Sequence, residues 1–375
     1  MIADRFADSL SELSKSGNLR HIPDDAAPEL IDLSSNDYLG LATRSDLEEE
    51  FLAGAQPSQL CLSSSASRLL AANQSPYFAL EKALSALFRG RDALLFNSGY
   101  HANSGIIPAL TSSKTLILAD KLVHASIIDG IKLSGARFTR FRHNDLDHLK
   151  RLIENAPVDA ELLVIVESVY SMDGDKAPLQ QLVELKQHFA DRMLLYVDEA
   201  HAFGVEGEYG SGLCETLTDP GAVDIIVGTL GKAAASSGAF AITSPVIKAY
   251  LVNKSRSLIF STAIPPITAA WSEKIVRLLP ELSAERSRLK DISARIAEAI
   301  GSSAPSHILP YIVGDPAQTI LLSKQLAQKG VKVLPIRTPT VPPGTERLRI
   351  SLSAGLTDNE VARAVNALKT IGRPQ

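Results

Sequence analysis

"RMLLYVDEAH", residues 192–201, is a short apolar run that ends on two carboxylates and a histidine. It reads as a buried strand whose last residue is Asp198. An apolar run without alternation suits a parallel sheet covered on both faces. The neighbouring sequence repeats the pattern. "TLILAD" (115–120) and "ELLVIVES" (161–168) precede it, and "DIIVGTL" (224–230) follows. Between these runs, "HASIIDGIKLSG" (124–135), "DLDHLKRLIENA" (145–156) and "PLQQLVELKQHFA" (178–190) have helical spacing. Strand, helix, strand in sequence order predicts an α/β layered fold, with ligands gathering at the carboxyl ends of the strands.

The pattern changes near "STAIPPI" (261–267). Residues 266–300 read as mostly helical and charged. "HILPYIVGD" (307–315), "VKVLPI" (331–336) and "ERLRISLSA" (346–354) then interleave with helices at 316–329 and from Asp358 to about Ile371. The expected organisation is an N-terminal segment (1–40), a large domain with a mostly parallel sheet (41–265) and a smaller C-terminal α/β domain (266–375).

The 375 residues are 45% apolar and 21% charged, within the range of an ordinary globular chain. A net charge of -4 and a pI near 6.1 leave no footprint of nucleic-acid binding. Two cysteines, Cys61 and Cys214, support neither a disulfide framework nor a four-cysteine metal site. No run approaches the ~20 apolar residues that span a bilayer. The N-terminus lacks the apolar core of a signal peptide, so a cytoplasmic location with no membrane partner is expected.

Three motifs point elsewhere and fail on spacing. "DEAH" (198–201) is the signature of a class of helicases, but "GTLGKA" (228–233) has two residues between its glycines where a phosphate loop needs four. Ala233 also stands where the magnesium-binding hydroxyl belongs. The eight histidines are scattered without HxxxH or HxH pairs, so no metal is expected. The serine-rich "SSSAS" (63–67) and "NSGYH" (97–101) contain no GxSxG elbow.

One cofactor uses the remaining pieces. Pyridoxal 5'-phosphate (PLP) needs a lysine for its aldehyde, a carboxylate beside its pyridine nitrogen and amides for its phosphate. Asp198 at a strand end meets the second need, and Lys232, just after the next strand, meets the first. His201 would reach the ring's phenolic oxygen. Ser98 and Gly99 precede a helix-like segment suited to the phosphate. His124 opens another helix, placed to stack on the ring.

These stretches also resemble a known family. "SSNDYLGL" (34–41), "LLFNSGYHAN" (94–103), "DKLVHAS" (120–126), "VYSMDGDKAPL" (169–179), "VDEAHAFGV" (197–205), "GTLGK" (228–232) and "STAIPP" (261–266) match, in order, the α-oxoamine synthases. Those are PLP-dependent enzymes of the aminotransferase-like fold (fold type I). "RFRHNDLDHL" (140–149) and "PTVPPGTERLRISLSA" (339–354) are most similar to the subgroup that joins L-alanine to pimeloyl-CoA or pimeloyl carrier protein in biotin synthesis.

The resemblance implies a homodimer and a set of roles. Lys232 would carry the cofactor, Asp198 would hold the ring nitrogen and His124 would stack on the ring. Ser171 and His201 would contact the phenolic oxygen. Thr229, Ser98, Gly99 and Tyr100 would surround the phosphate, with Thr262 reaching it from a neighbouring subunit. Arg349 would bind the amino-acid carboxylate, and Arg20, Asn36 and Thr340 would line the substrate side.

The chain departs from that pattern twice. "SSSASRLLAANQSPYFALE" (63–81) has serines and alanines at glycine positions and Tyr77 where a histidine is usual. "AAASSGAF" (233–240) follows Lys232 where glycine or a larger residue is common, and added β-carbons restrict the backbone. Two other activities stay open: a sister condensation such as glycine with acetyl-CoA, and a non-catalytic partner subunit.

Overall fold

The computed structural model describes residues 2–20, 22, 30–189, 192–303 and 305–371. Contacts divide the chain into two units. The larger comprises Leu39–Ser171 and Asp175–Arg286; the smaller comprises Met1–Tyr38, Met172–Gly174 and Ser287–Gln375.

Strands are numbered in chain order. β1 (Ile31–Asp32) lies in the smaller unit. The larger unit holds β2 (Asp92–Phe96), β3 (Thr115–Asp120), β4 (Arg137–Phe141), β5 (Glu161–Glu167), β6 (Met193–Asp198), β7 (Ile225–Thr229) and β8 (Ala239–Thr243). The smaller unit resumes with β9 (Ile308–Ile312), β10 (Val331–Lys332), β11 (Leu334–Ile336) and β12 (Arg347–Ser351).

The larger unit is built on a seven-stranded sheet of order β2-β8-β7-β6-β5-β3-β4. Every pairing is parallel except those of β8, which runs against both β2 and β7. The four quoted apolar runs are four of its strands: β3 spans its run in full, and β5, β6 and β7 are shorter than theirs at one or both ends. β2, β4 and β8 were not legible as strands. β4, "RFTRF", sits at the sheet edge with mostly exposed side chains, so its composition lacks the buried signature. β8, "AFAIT", is wholly buried but directly follows the Ala/Ser run that reads as loop.

Side chains alternate across a strand, so every second residue faces the same layer. Leu94 and Phe96, Ile117 and Ala119, Leu163 and Ile165, Tyr196, Ile225 and Val227 all join one buried cluster. They meet Ala102, Ile106 and Ile107 of the helix Gly99–Leu110 and Ile127 and Ile131 of the helix Ala125–Ser134. These two helices approach closely at Gly130. A Cβ there would stand 2.6 Å from the Asn103 carbonyl, so the contact requires glycine. The same parity carries Glu167, Asp198 and Thr229, the last residues of β5, β6 and β7, onto this helix-covered face.

The helix Pro266–Leu278, which follows the expected domain boundary, belongs to the larger unit. There Trp271 donates its indole N–H to the Ala235 carbonyl at 2.9 Å. In the smaller unit, β12 pairs antiparallel with both β9 and β11, and β1 pairs parallel with β10. Among the described residues, no helix is long and apolar enough to cross a membrane.

Candidate active site

The site is assembled at the carboxyl ends of β5, β6 and β7. Asp198 ends β6 and is 4% exposed. Its Oδ2 accepts 2.8 Å from Asn103 Nδ2, and its Oδ1 accepts 2.9 Å from the Ala200 N–H. Just past the strand, the buried His201 places Nε2 2.8 Å from Nζ of Lys232, which stands three residues beyond the end of β7. Two consecutive parallel strands thus deliver a carboxylate, an imidazole and an amine to one edge.

Asn103 was not singled out in the sequence, yet it ties the site together. Its Nδ2 also donates to Ser126 Oγ at 2.9 Å, and its Oδ1 accepts from the Tyr196 hydroxyl at 2.5 Å. Ser126 in turn meets His124, whose Nδ1 is 2.8 Å from its hydroxyl and accepts its backbone N–H at 3.2 Å. His124 is therefore the N-cap of the helix Ala125–Ser134. Desolvation of its ring lowers its pKa, with Asp198 opposing the shift and Lys232 adding to it.

Glu167 is a second residue that the motifs did not flag. It ends β5 in register with Asp198 and is 2% exposed. Burial and the neighbouring Asp198 push its carboxyl well above the usual range, while Lys232 and the N–H groups of His124 and Ser171 work the other way. Its Oε1 has no hydrogen-bond partner among the described residues.

The helix Gly99–Leu110 presents its N-terminus to the same edge, because β2 ends at Phe96. Ser98 is the N-cap: its hydroxyl accepts 3.2 Å from the His101 N–H and lies 2.9 Å from His101 Nδ1. The N–H groups of a helix's first turn have no intrahelical partners, so those of Gly99 and Tyr100 suit an anion. A Cβ added at Gly99 would meet nothing within 4 Å, so space lies open over it. Tyr100 donates its hydroxyl to Asp129 at 2.8 Å. Thr229 uses its hydroxyl locally, donating to the Gly238 carbonyl at 3.2 Å and accepting from the Gly231 N–H at 3.3 Å. Thr262 is exposed, and its carbonyl accepts 2.5 Å from Asn97, the residue before Ser98.

The predicted substrate residues fall in the smaller unit as two pairs. Arg349 directs Nη1 and Nη2 to Asn36 Oδ1, each at 3.2 Å, and is 4% exposed. Tyr38 donates to the same oxygen at 3.0 Å, and burial pushes its hydroxyl up to about 12 against the pull of Arg349. Arg20 donates to Thr340 Oγ1 at 3.1 Å. Both line a cavity with Arg337, whose pKa burial and the Arg20 charge lower.

The departures have visible conformational consequences. Ser65 (φ 54°) and Ala235 (φ 46°) both occupy the left-handed region, one in each of the two stretches that depart from the resembled pattern. Ala233 and Ala234 are buried, so bulk is excluded there by packing. Tyr77 is also buried, donating to the Ile264 carbonyl at 2.7 Å beneath the Arg68 guanidinium.

A family model described as aminotransferase class I and II matches residues 28–368. The chain belongs to the class I and II aminotransferase family. Within it, the chain is 45% identical over 377 residues to the 8-amino-7-oxononanoate synthase of Haemophilus ducreyi, covering 95% of this chain and 97% of that protein. The solved 8-amino-7-oxononanoate synthase of Francisella tularensis aligns with a TM-score of 0.76 at 27% identity, over 93% of this chain and 98% of that one. A serine palmitoyltransferase from S. paucimobilis, solved with PLP and myriocin bound, aligns with a TM-score of 0.89 at 26% identity, over 98% and 97%. This class I and II aminotransferase chain shares the fold type I architecture, with its mixed, mostly parallel sheet.

Proposed function

We propose that the protein is an 8-amino-7-oxononanoate synthase, converting L-alanine and pimeloyl-CoA, or the pimeloyl thioester of a carrier protein, to 8-amino-7-oxononanoate, free thiol and CO2. The observation that carries the reading is the 2.8 Å contact between Lys232, just past β7, and His201, just past the buried Asp198 that ends β6. The names of the relatives support the choice within the family.

The residues fit PLP. An open, amide-lined helix start over Gly99, a buried carboxylate, a lysine and a carboxyl oxygen on Glu167 with no partner among the described residues lie at one end of one sheet. Lys232 would hold the cofactor's aldehyde carbon, and Gly99, Tyr100, Ser98 and Thr229 its phosphate. Thr262 is assigned to a partner subunit's phosphate site in a homodimer. When bound, the cofactor supplies an electron sink for the pair left behind by a lost α-proton or carboxylate.

Asp198 would hold a proton on the ring nitrogen, which would keep that sink effective. Asn103 fixes the carboxylate's orientation, because its amide donates to one oxygen and leaves the other facing the Ala200 N–H. His201 and Ser171 would orient the phenolic oxygen, and His124 would cover one ring face. With alanine bound, the Lys232 amine would be the base that takes its α-proton, with His201 Nε2 holding the amine in place. Arg349 is assigned the alanine carboxylate because its planar fork makes two parallel hydrogen bonds. Arg20, Asn36 and Thr340 are assigned the substrate side.

A sister condensation, with another amino acid and another acyl-CoA, is favoured by the higher TM-score to serine palmitoyltransferase. One experiment separates the two. The purified protein should be yellow and should release CoA and CO2 from alanine and pimeloyl-CoA. Turnover only with glycine and acetyl-CoA, or only with serine and a long-chain acyl-CoA, would transfer it to the sister reaction. A colourless protein that takes up no PLP would end both readings.

A further inference from the structure

His143 belongs to the "RHND" stretch (142–145) just past β4, and the proposed reaction gives it no part. Its imidazole is held by two carboxylates. Nδ1 lies 2.9 Å from Asp120 Oδ1, and Nε2 lies 2.7 Å from Asp175 Oδ2. Carboxylates accept, so both ring nitrogens must donate, and the ring is an imidazolium. Burial opposes that charge, but the two aspartates outweigh it and bring the imidazole up to about 10.

The cluster extends through the next residue. Asn144 adopts a left-handed backbone (φ 52°), which turns its N–H to Asp120 Oδ2 at 2.8 Å and its side-chain amide to Asp175 Oδ2 at 2.9 Å and the Lys176 carbonyl at 3.2 Å. Both aspartates are well chosen anchors. Asp120 is fully buried at the end of β3, and its Oδ1 also accepts from the Leu122 N–H at 2.8 Å, in the turn that leads to His124. Asp175 closes the turn that contains Ser171, since its carbonyl accepts from the Tyr170 N–H at 2.9 Å. The Tyr170 ring stands edge-on to His143, 4.4 Å between centroids.

We propose that His143 is a positioning residue: clamped between Asp120 and Asp175, its imidazolium fixes the turn bearing Ser171 to the end of β3, so that one ion cluster sets the places of Ser171 and His124. The roles of those two residues rest on the PLP reading above. A neutral side chain at 143 would leave two carboxylates facing each other and release the turn.

The test compares wild type, His143→Gln, Ser171→Ala and the double variant as holoenzymes. Three readouts are taken: the PLP dissociation constant, the pH titration of the visible band, and hydrogen exchange of residues 169–177. Failure of the wild type to bind PLP would defeat the reading of the site and is seen before any variant is made. With PLP bound, His143→Gln should weaken its affinity about 10-fold, the scale of a lost charge-assisted hydrogen bond. It should also displace the band's titration in the direction seen for Ser171→Ala and speed exchange in 169–177. The double variant should bind no more weakly than the worse single variant, because the two act through one contact. Wild-type affinity, titration and exchange in His143→Gln, or losses that multiply in the double variant, would overturn the proposal. If His143→Gln does not fold, Asp175→Asn on the half-exposed partner takes its place, with the same expected pattern and the same overturning result.

Discussion

The Nε2 atom of His201 and the Nζ atom of Lys232 lie 2.8 Å apart, although 31 residues of chain separate them. Only the parallel register of β6 and β7, with Asp198 opposite Val227, places them so. The pair gives the first prediction. Lys232→Ala should retain its fold, lose the yellow colour of a covalently held cofactor and fall in turnover by at least ~10³-fold, since the proposed function makes the nucleophile and the base one group. Steady-state assays with parallel absorbance spectra check it, and wild-type-like turnover would refute the role.

Asn103 offers a test of orientation as distinct from chemistry. Asn103→Ala removes donors to Asp198 and Ser126 and leaves the Tyr196 hydroxyl without its acceptor. Buried polar groups left unpaired cost ~1–3 kcal/mol, so urea denaturation should show a loss of that order. PLP should also bind more weakly; an unchanged affinity would separate Asn103 from the site.

At Ala235 the prediction runs towards gain. A non-glycine residue in the left-handed region costs about 1–2 kcal/mol, partly offset by glycine's greater entropy when unfolded. Ala235→Gly should therefore stabilise the larger unit by roughly 0.5–1 kcal/mol. A lowered urea midpoint would mean that the methyl group contributes packing that outweighs the strain.

The pH dependence of stability should carry the signature of His143. Its folded pKa, about 10, is raised above the ordinary value of 6.5 by Asp120 and Asp175 against burial. Its contribution is therefore complete below about pH 6.5 and is lost as pH rises towards 10. Denaturant midpoints of the holoenzyme should fall across that window, and the fall should be shallower in His143→Gln. A parallel decline in both proteins would assign it to other groups.

Arg349→Lys tests the smaller unit. Lysine keeps the charge but loses the fork that now spans two nitrogens to Asn36. The KM for alanine should rise roughly 10-fold or more, the scale of a charged hydrogen bond, with kcat reduced less. An unchanged KM would remove Arg349 from carboxylate recognition.

Burial on both sides made four strands of the sheet legible but not all, since the wholly buried β8 is masked by the Ala/Ser run before it. β3, β5, β6 and β7 are continuous apolar runs, whereas β4 at the edge mixes arginine with phenylalanine and carries no such signal. In the site, residues at strand ends and beside glycines stood out, because their position alone restricts their chemistry. Asn103 and Glu167 did not. Asn103 lies in mid-helix and Glu167 closes an apolar strand, so their meaning depends on what faces them across the layer. The small residues after Lys232 were also ambiguous in sequence; buried Ala233 and Ala234 and the left-handed Ala235 show a tight turn packed against its surroundings.

The helix Gly99–Leu110 carries both the amides assigned to the phosphate and, one turn on, the amide that grips Asp198. Gly99 and Asn103 are ~6 Å apart along its axis at about 1.5 Å per residue. Under the proposed function, that helix is a length gauge for the cofactor bed. Sliding it would carry both ends in the same direction, so the distance between them is set by backbone geometry and is insulated from side-chain drift in the loops around it.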